Sequence, residues 1–168
     1  MSERPRRVFL SLGSNLGERS TALRVARAAL AALPGTTLLQ ASPIYETAPQ
    51  ELADQPPFLN QVVCLETSLA PLELLGRCQV IEEAVGRRRT LRFGPRTLDV
   101  DILLYEGVES DSVELTLPHP RMWQRAFVVI PLSALWSLAR EMPSVDVAAL
   151  AQELALSQSV DLYPAAED

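Results

Sequence analysis

A chain of 168 residues, 48% of them hydrophobic and 21% charged, holds enough apolar side chains to fill one core, which excludes an intrinsically disordered chain. The net charge is −6, from 21 acidic and 15 basic residues, and every basic residue is Arg. An acidic balance argues against a nucleic-acid coat, and no apolar run reaches membrane-spanning length.

Cys64 and Cys78 fall on apolar faces and read as buried free thiols, in keeping with a reducing compartment. The apolar run after Arg7 is short and soon meets Glu18 and Arg19, so no signal peptide is expected and the protein reads as cytoplasmic.

Residues 8–13 form a short apolar strand that breaks at Gly13-Ser14-Asn15-Leu16-Gly17, a run of turn and capping residues. Leu23, Ala26, Leu30 and Leu33 then recur at helical spacing until Pro34-Gly35 stops the helix. Residues 36–45 make a second strand interrupted at Pro43, and residues 46–57, with three prolines, make a long loop. Residues 58–67 alternate as a third strand. Phe58, Asn60, Val62 and Cys64 lie on one face, and Leu59, Val63 and Leu65 on the other.

Pro71 opens a second helix, whose buried stripe is Leu74, Cys78, Ile81 and Val85 and whose stop is Gly86. Residues 97–105 form a fourth strand, with Leu98, Val100, Ile102 and Leu104 on one face and Asp99 and Asp101 on the other. The order β-α-β-β-α-β is that of an α+β, ferredoxin-like sandwich with an antiparallel sheet. Both helices cover one face, and C-terminal helical additions partly cover the other. Residues 115–117 read as a short strand and Pro118-His119-Pro120 as a rigid turn. Residues 125–138 read as a helix broken near Pro131, and residues 147–156 as a last amphipathic helix. Residues 1–156 are expected to form a single domain, and residues 157–168 a weakly ordered acidic tail.

The chemistry concentrates in residues 86–105, GRRRTLRFGPRTLDVDILLY. Arg87, Arg88, Arg89, Arg92 and Arg96 lead into Asp99 and Asp101. Two carboxylates at i and i+2 on a strand point the same way and repel unless a cation lies between them. Mg²⁺ takes one or two carboxylates and completes its shell with water and phosphate oxygens, while arginines meet the remaining phosphate charge. An isolated DxD is more often an exposed polar strand face, and an arginine run is more often a solvated helix end. Here the two are adjacent, which favours a metal-bound polyphosphate. Gly94-Pro95 shapes the turn that aims Arg96, and Arg88 is the expected bystander. His119, the only histidine, lies near Arg121 and Arg125 and fits a second anion-binding arm. Asn60 carries donors and an acceptor suited to the edge of a flat heterocycle, with Phe58 beside it to stack. On the residues alone, two other readings stand. One is a DxD nucleotidyl- or glycosyltransferase with a different donor; the other is a ferredoxin-like regulatory module that binds ligand without turnover.

Several blocks carry a family resemblance: Gly13-Ser14-Asn15-Leu16, Asp54-Gln55-Pro56 with Phe58-Leu59-Asn60, residues 94–102 (GPRTLDVDI), and residues 117–122 (LPHPRM) through Arg125-Ala126-Phe127. In this order and spacing, the chain resembles the 6-hydroxymethyl-7,8-dihydropterin pyrophosphokinases of folate biosynthesis from about Val8 to about Leu138. The resemblance implies a ferredoxin-like fold, ATP as donor and two Mg²⁺ ions. It implies transfer of the β,γ-pyrophosphoryl group to the pterin hydroxymethyl oxygen, with AMP leaving. By motif, Asp99 and Asp101 match the metal ligands and are catalytic together with Arg87 and Arg96. Gln79, Arg87, Arg89, Arg96, Ile102, Thr116, His119 and Arg125 match positions around ATP. Asn60 matches the pterin-reading side chain, Phe58 and Phe127 the two ring faces, and Thr47 the pterin edge. The implied partners are these small molecules, with the protein a monomer or weak homodimer. Phe93 stands where relatives often carry Trp, and Arg92 is left without a role.

Overall fold

The computed structural model describes residues 4–48, 55–86 and 97–164. Within them the chain runs β1 (Arg6–Ser14), α1 (Arg19–Ala31), β2 (Thr36–Ala41), β3 (Tyr45–Thr47), β4 (Phe58–Thr67), α2 (Pro71–Ala84), β5 (Asp99–Tyr105), β6 (Ser110–Asp111), β7 (Thr116–Leu117), α3 (Ala126–Ser133), α4 (Val147–Ala155) and β8 (Val160–Leu162). Short 3-10 turns occupy Met122–Gln124 and Trp136–Leu138. No described helix is long and apolar enough to cross a membrane.

The main sheet is antiparallel at every pairing, in the order β5-β1-β4-β3-β8, with β2 also on β4. β2 and β3 are successive stretches along one side of β4, because Pro43 between them has no N–H to give the ladder. Ser42 bridges the gap: its N–H donates to Val62 O at 2.9 Å, and its hydroxyl oxygen accepts from the Val62 N–H at 3.0 Å. The sequence-based loop at residues 46–57 therefore begins two residues later, since Glu46 and Thr47 belong to β3.

Alternation along β1 and β4 divides the apolar side chains between two cores. Leu10, Leu12, Leu59, Val63 and Leu65 pack with Leu23, Ala26 and Leu30 of α1 and Leu74, Cys78 and Ile81 of α2. Phe9, Val62 and Cys64 pack on the opposite face with Val128, Val129 and Leu132 of α3 and Val147 and Ala151 of α4. Both thiols are free and buried. Burial pushes the Cys64 thiol up to about 11 and the Cys78 thiol up to about 12. At the helix ends, Gly86 takes φ 93° where α2 stops, and Gly35 takes φ 61° after α1.

Three further sequence-based expectations change. Leu104 does not share a face with Val100 and Ile102. The β1–β5 register shifts so that Phe9 faces Leu104 and Leu10 faces Ile102. The extra residue, Leu103, flips the alternation, and Leu103 and Leu104 both enter the second core. Pro131 does not break its helix: α3 runs through it to Ser133, with Pro131 buried. The helix has only eight residues, so few backbone bonds depend on that position. The expected tail is not all tail. β8 pairs antiparallel with β3, Val160 facing Thr47 and Leu162 facing Tyr45.

Candidate active site

The second core covers only part of its sheet face. Toward the C-terminal end of β1 the same face turns polar. Register places Asp99 opposite Gly13 and Gly13 opposite Asn60, so these residues form one row across β5, β1 and β4. The next row is Asp101, Ser11 and Val62. Residues paired in register share a face, and neighbouring strands lie about 4.8 Å apart, so the Asp99 and Asn60 backbones are roughly 10 Å apart. One face therefore carries an amide near β3 and two carboxylates on β5.

Asn60 is 4% exposed and its Nδ2 donates to Thr47 Oγ1 at 2.7 Å, which fixes the amide plane. Thr47 lies opposite Phe58 on β4, so Thr47, Phe58 and Asn60 converge at this end of the sheet. Gly13 keeps the space between them open. A Cβ there would lie 3.3 Å from Asn60 Oδ1 and 3.8 Å from Phe58 Cδ1. The turn after β1 is tied down by Asn15, whose Nδ2 donates to Gln55 Oε1 and Pro56 O, both at 3.0 Å.

The His119 main-chain N–H donates to Leu103 O at 2.9 Å, which docks the segment after β7 beside β5. His119 is held below its ordinary value of 6.5, first by burial and then by the positive charges of Arg125 and Arg121, with Asp99 opposing. These neighbours place the histidine, Arg125 and a site carboxylate in one electrostatic environment. The imidazole Nδ1 accepts from the Arg121 N–H at 3.3 Å, so the neutral ring carries its proton on Nε2. The Arg125 guanidinium lies 5.5 Å from the centroid of the half-buried Phe127 ring.

Two candidates lie elsewhere. The Ile102 side chain is buried in the core beneath α1 and α2, away from the aspartate face, and only its backbone borders the site strand. Gln79 is exposed on α2, on the helix-covered side of the sheet. Thr116 is half-buried on β7, where its hydroxyl donates to Ser112 O at 3.1 Å. Arg87, Arg89 and Arg96, like Arg88 and Arg92, lie outside the described residues. A groove of about 410 Å³ between α1 and α2 is lined mainly by Ala22, Val25, Ala29, Val80 and Val85. It lies behind the sheet and its apolar walls suit neither a phosphate nor a metal.

Sequence reasoning missed Glu82. It is 5% exposed, and its Oε2 accepts the Val100 N–H at 2.9 Å, between the two aspartates. β5 is an edge strand, and this carboxylate takes an N–H that β1 does not. The signal was present: Glu82 lies four residues after Cys78, an acidic residue inside the buried stripe of α2.

The family resemblance implies a metal held by Asp99 and Asp101. No group of three or more His, Cys, Asp or Glu side chains arranged to hold a metal occurs among the described residues. Two carboxylates on one strand face do not make a closed tetrahedral site, but they fit Mg²⁺ shared with a polyphosphate.

The family model described as 7,8-dihydro-6-hydroxymethylpterin-pyrophosphokinase matches residues 9–137. The 2-amino-4-hydroxy-6-hydroxymethyldihydropteridine pyrophosphokinase of Pseudomonas aeruginosa is 49% identical over 129 residues, covering 77% of this chain and 80% of that protein. Its Bacillus subtilis counterpart is 46% identical over 127 residues, 76% of each chain. A mitochondrial folate synthesis bifunctional protein of Arabidopsis thaliana is 42% identical over 138 residues, 82% of this chain but 25% of that protein. A crystal structure of HPPK-DHPS in complex with substrates shares the fold, with a TM-score of 0.65 at 13% identity. The match covers 92% of this chain and 44% of that one. With a family model spanning most of its length and stand-alone relatives matched over three-quarters of theirs, this chain belongs to the 7,8-dihydro-6-hydroxymethylpterin-pyrophosphokinase family.

Proposed function

We propose that this site transfers the pyrophosphoryl group of ATP to 6-hydroxymethyl-7,8-dihydropterin, giving the pterin diphosphate and AMP in folate synthesis. The observation that carries the reading is the row Asp99-Gly13-Asn60, which sets a buried amide and a carboxylate on one sheet face, an arrangement suited to a heterocycle beside a metal-bound polyphosphate. We read the β1-α1-β2/β3-β4-α2-β5 order as a ferredoxin-like sandwich with helices added at its C-terminal end.

In this reading Asn60, oriented by Thr47, hydrogen-bonds the pterin edge, while Phe58 and Phe127 take its two faces. The hydroxymethyl group then points along the row toward β5. Asp99 and Asp101 hold Mg²⁺, two ions by family likeness, which supplies charge neutralisation on the polyphosphate when bound. Neutral His119 donates from Nε2 to a phosphate oxygen, and Arg125 adds a permanent charge. Arg87 and Arg96 engage the transferring phosphates, with Arg89 beside them; Thr116 and the Ile102 backbone border the nucleotide. The hydroxyl oxygen attacks the β-phosphorus in line. The bond from that phosphorus to the α,β-bridging oxygen breaks, AMP leaves with the oxygen, and the hydroxyl proton is released. Such a transfer asks mainly for positioning and charge stabilisation.

Incubation with ATP and the hydroxymethyldihydropterin is expected to release AMP in step with pterin diphosphate. Release of ADP instead would sink the reading. Asp101→Ala is expected to abolish Mg²⁺-dependent binding of a non-hydrolysable ATP analogue, and unchanged binding in a calorimeter would refute the metal role. Arg96→Ala is expected to lower kcat by on the order of 10³–10⁵, with little change in ATP affinity.

A further inference from the structure

α3 begins without a local cap. Its N-cap residue is Arg125, which makes no side-chain capping bond and whose guanidinium has no acceptor to offer the first-turn N–H groups. The acceptor comes from far along the chain. Gln158 Oε1 accepts the Ala126 N–H at 2.9 Å, and Gln158 Nε2 donates to Gln124 O at 2.9 Å. One side-chain amide thus bridges the backbone on both sides of Arg125, and Ala126, which it holds, is the residue between Arg125 and Phe127.

Two residues later the same segment joins the other wall of the site. Val160 pairs with Thr47 and Leu162 with Tyr45 in β8, and the Tyr163 N–H donates to Ile44 O at 2.8 Å. Thr47 is the residue that orients Asn60. Arg19 ties the outer edge, with NH1 2.7 Å from Glu46 Oε2 and its guanidinium 5.8 Å from the Tyr163 ring centroid. Residues 158–163 therefore connect the Arg125–Phe127 wall to the Thr47–Asn60 wall. They lie beyond residue 137, where the family model match ends.

We propose that this C-terminal segment is a clasp that sets the spacing of the pterin slot, with Gln158 as its positioning residue. The proposal rests on the pterin reading of the site. A slot that stacks a flat ring between Phe58 and Phe127 works only at one width; the second core packs α3 against β4 from Val62 inward, and the segment 158–163 adds a second link at the site end. Gln158 holds one wall and β8 the other, so the short chain between them limits how far the walls can part at the open end of that core.

The test uses the full chain and three proteins: wild type, Gln158→Ala and Gln158→Glu. The glutamate variant keeps an acceptor for the Ala126 N–H. The probe is 6-hydroxymethylpterin, titrated calorimetrically with a non-hydrolysable ATP analogue and Mg²⁺ present. Gln158→Ala is expected to weaken pterin binding about tenfold, the scale of leaving the part-buried Ala126 N–H without its acceptor, while Gln158→Glu recovers most of it. Hydrogen exchange is expected to quicken at the Ala126 and Thr47 amides in Gln158→Ala alone. A lower Tm with unchanged pterin affinity would reduce Gln158 to a structural cap and overturn the proposal. Unchanged exchange at both amides would overturn it as well. If wild type itself fails to bind the pterin, the functional reading falls, and the exchange data still decide whether the two walls are coupled.

Discussion

Replacing Gly13 with Ala sets a methyl group against the one side chain whose position the pterin reading most needs. Gly13 does not take the left-handed backbone conformation, so the substitution brings no backbone strain. What it brings is contact. The new Cβ lies 3.3 Å from Asn60 Oδ1, closer than the 3.4–4 Å of ordinary contact. Asn60 has to yield by a few tenths of an ångström, yet its Nδ2 is pinned to Thr47 at 2.7 Å, so the amide tilts rather than slides. Phe58, at 3.8 Å from the same Cβ, is left in place. In stability the change is nearly neutral, because Ala in a strand gains about 0.5–1 kcal/mol over Gly and the crowding offsets it. In binding it is not. Misaligning two hydrogen bonds to a heterocycle edge, at about 0.5–1.5 kcal/mol each, weakens pterin affinity roughly 5- to 150-fold. Calorimetric titration of 6-hydroxymethylpterin alongside a thermal melt reads both quantities. Unchanged pterin affinity would show that Asn60 does not read the ring. A fall in Tm of much more than about 5 °C would show that the crowding is absorbed by the core instead.

Other expectations follow from the same geometry. Glu82→Ala leaves the buried Val100 N–H without its acceptor and is expected to cost about 1–3 kcal/mol in denaturant unfolding, while Glu82→Gln, which keeps a carbonyl oxygen, recovers most of that. A single histidine makes the imidazole titration unambiguous by NMR. Its folded value lies below 6.5, so His119 is neutral at pH 7 and contributes stability above that value, lost as pH falls through the folded value. Arg125→Ala is expected to raise it, and a titration unmoved by that change would remove Arg125 from the histidine's surroundings. For Glu106, burial pushes the carboxyl up, but the Arg7 N–H at 2.9 Å, Arg4 at 2.5 Å and Arg140 outweigh it and leave it below 4.5. Its stabilisation is present above 4.5 and lost as pH falls through the folded value. Glu106→Gln is therefore expected to lower Tm at neutral pH, with the difference shrinking as pH falls below 4.5; a loss that does not change with pH would refute the charge argument.

The amino-acid sequence by itself determined much of this protein. Period-two alternation placed Asp99 and Asp101 on one face of β5 and Phe58 and Asn60 on one face of β4, while strand register made those two faces the same. Pro71, Gly35 and Gly86 marked helix ends, and the ordered motifs carried the family. These features are local, and steric rules within a few residues govern them. The tertiary structure decided the rest, because it depends on partners far along the chain. The register shift opposite Phe9 sent Leu104 to the second core, which no pattern within β5 announces. The α3 helix runs through Pro131, packed against the sheet face that alternation had left open. Glu82 reaches Val100 across 18 residues, and Gln158 reaches Ala126 across 32. Each of these bonds satisfies a backbone N–H that its own element could not, and only packing brings donor and acceptor within reach.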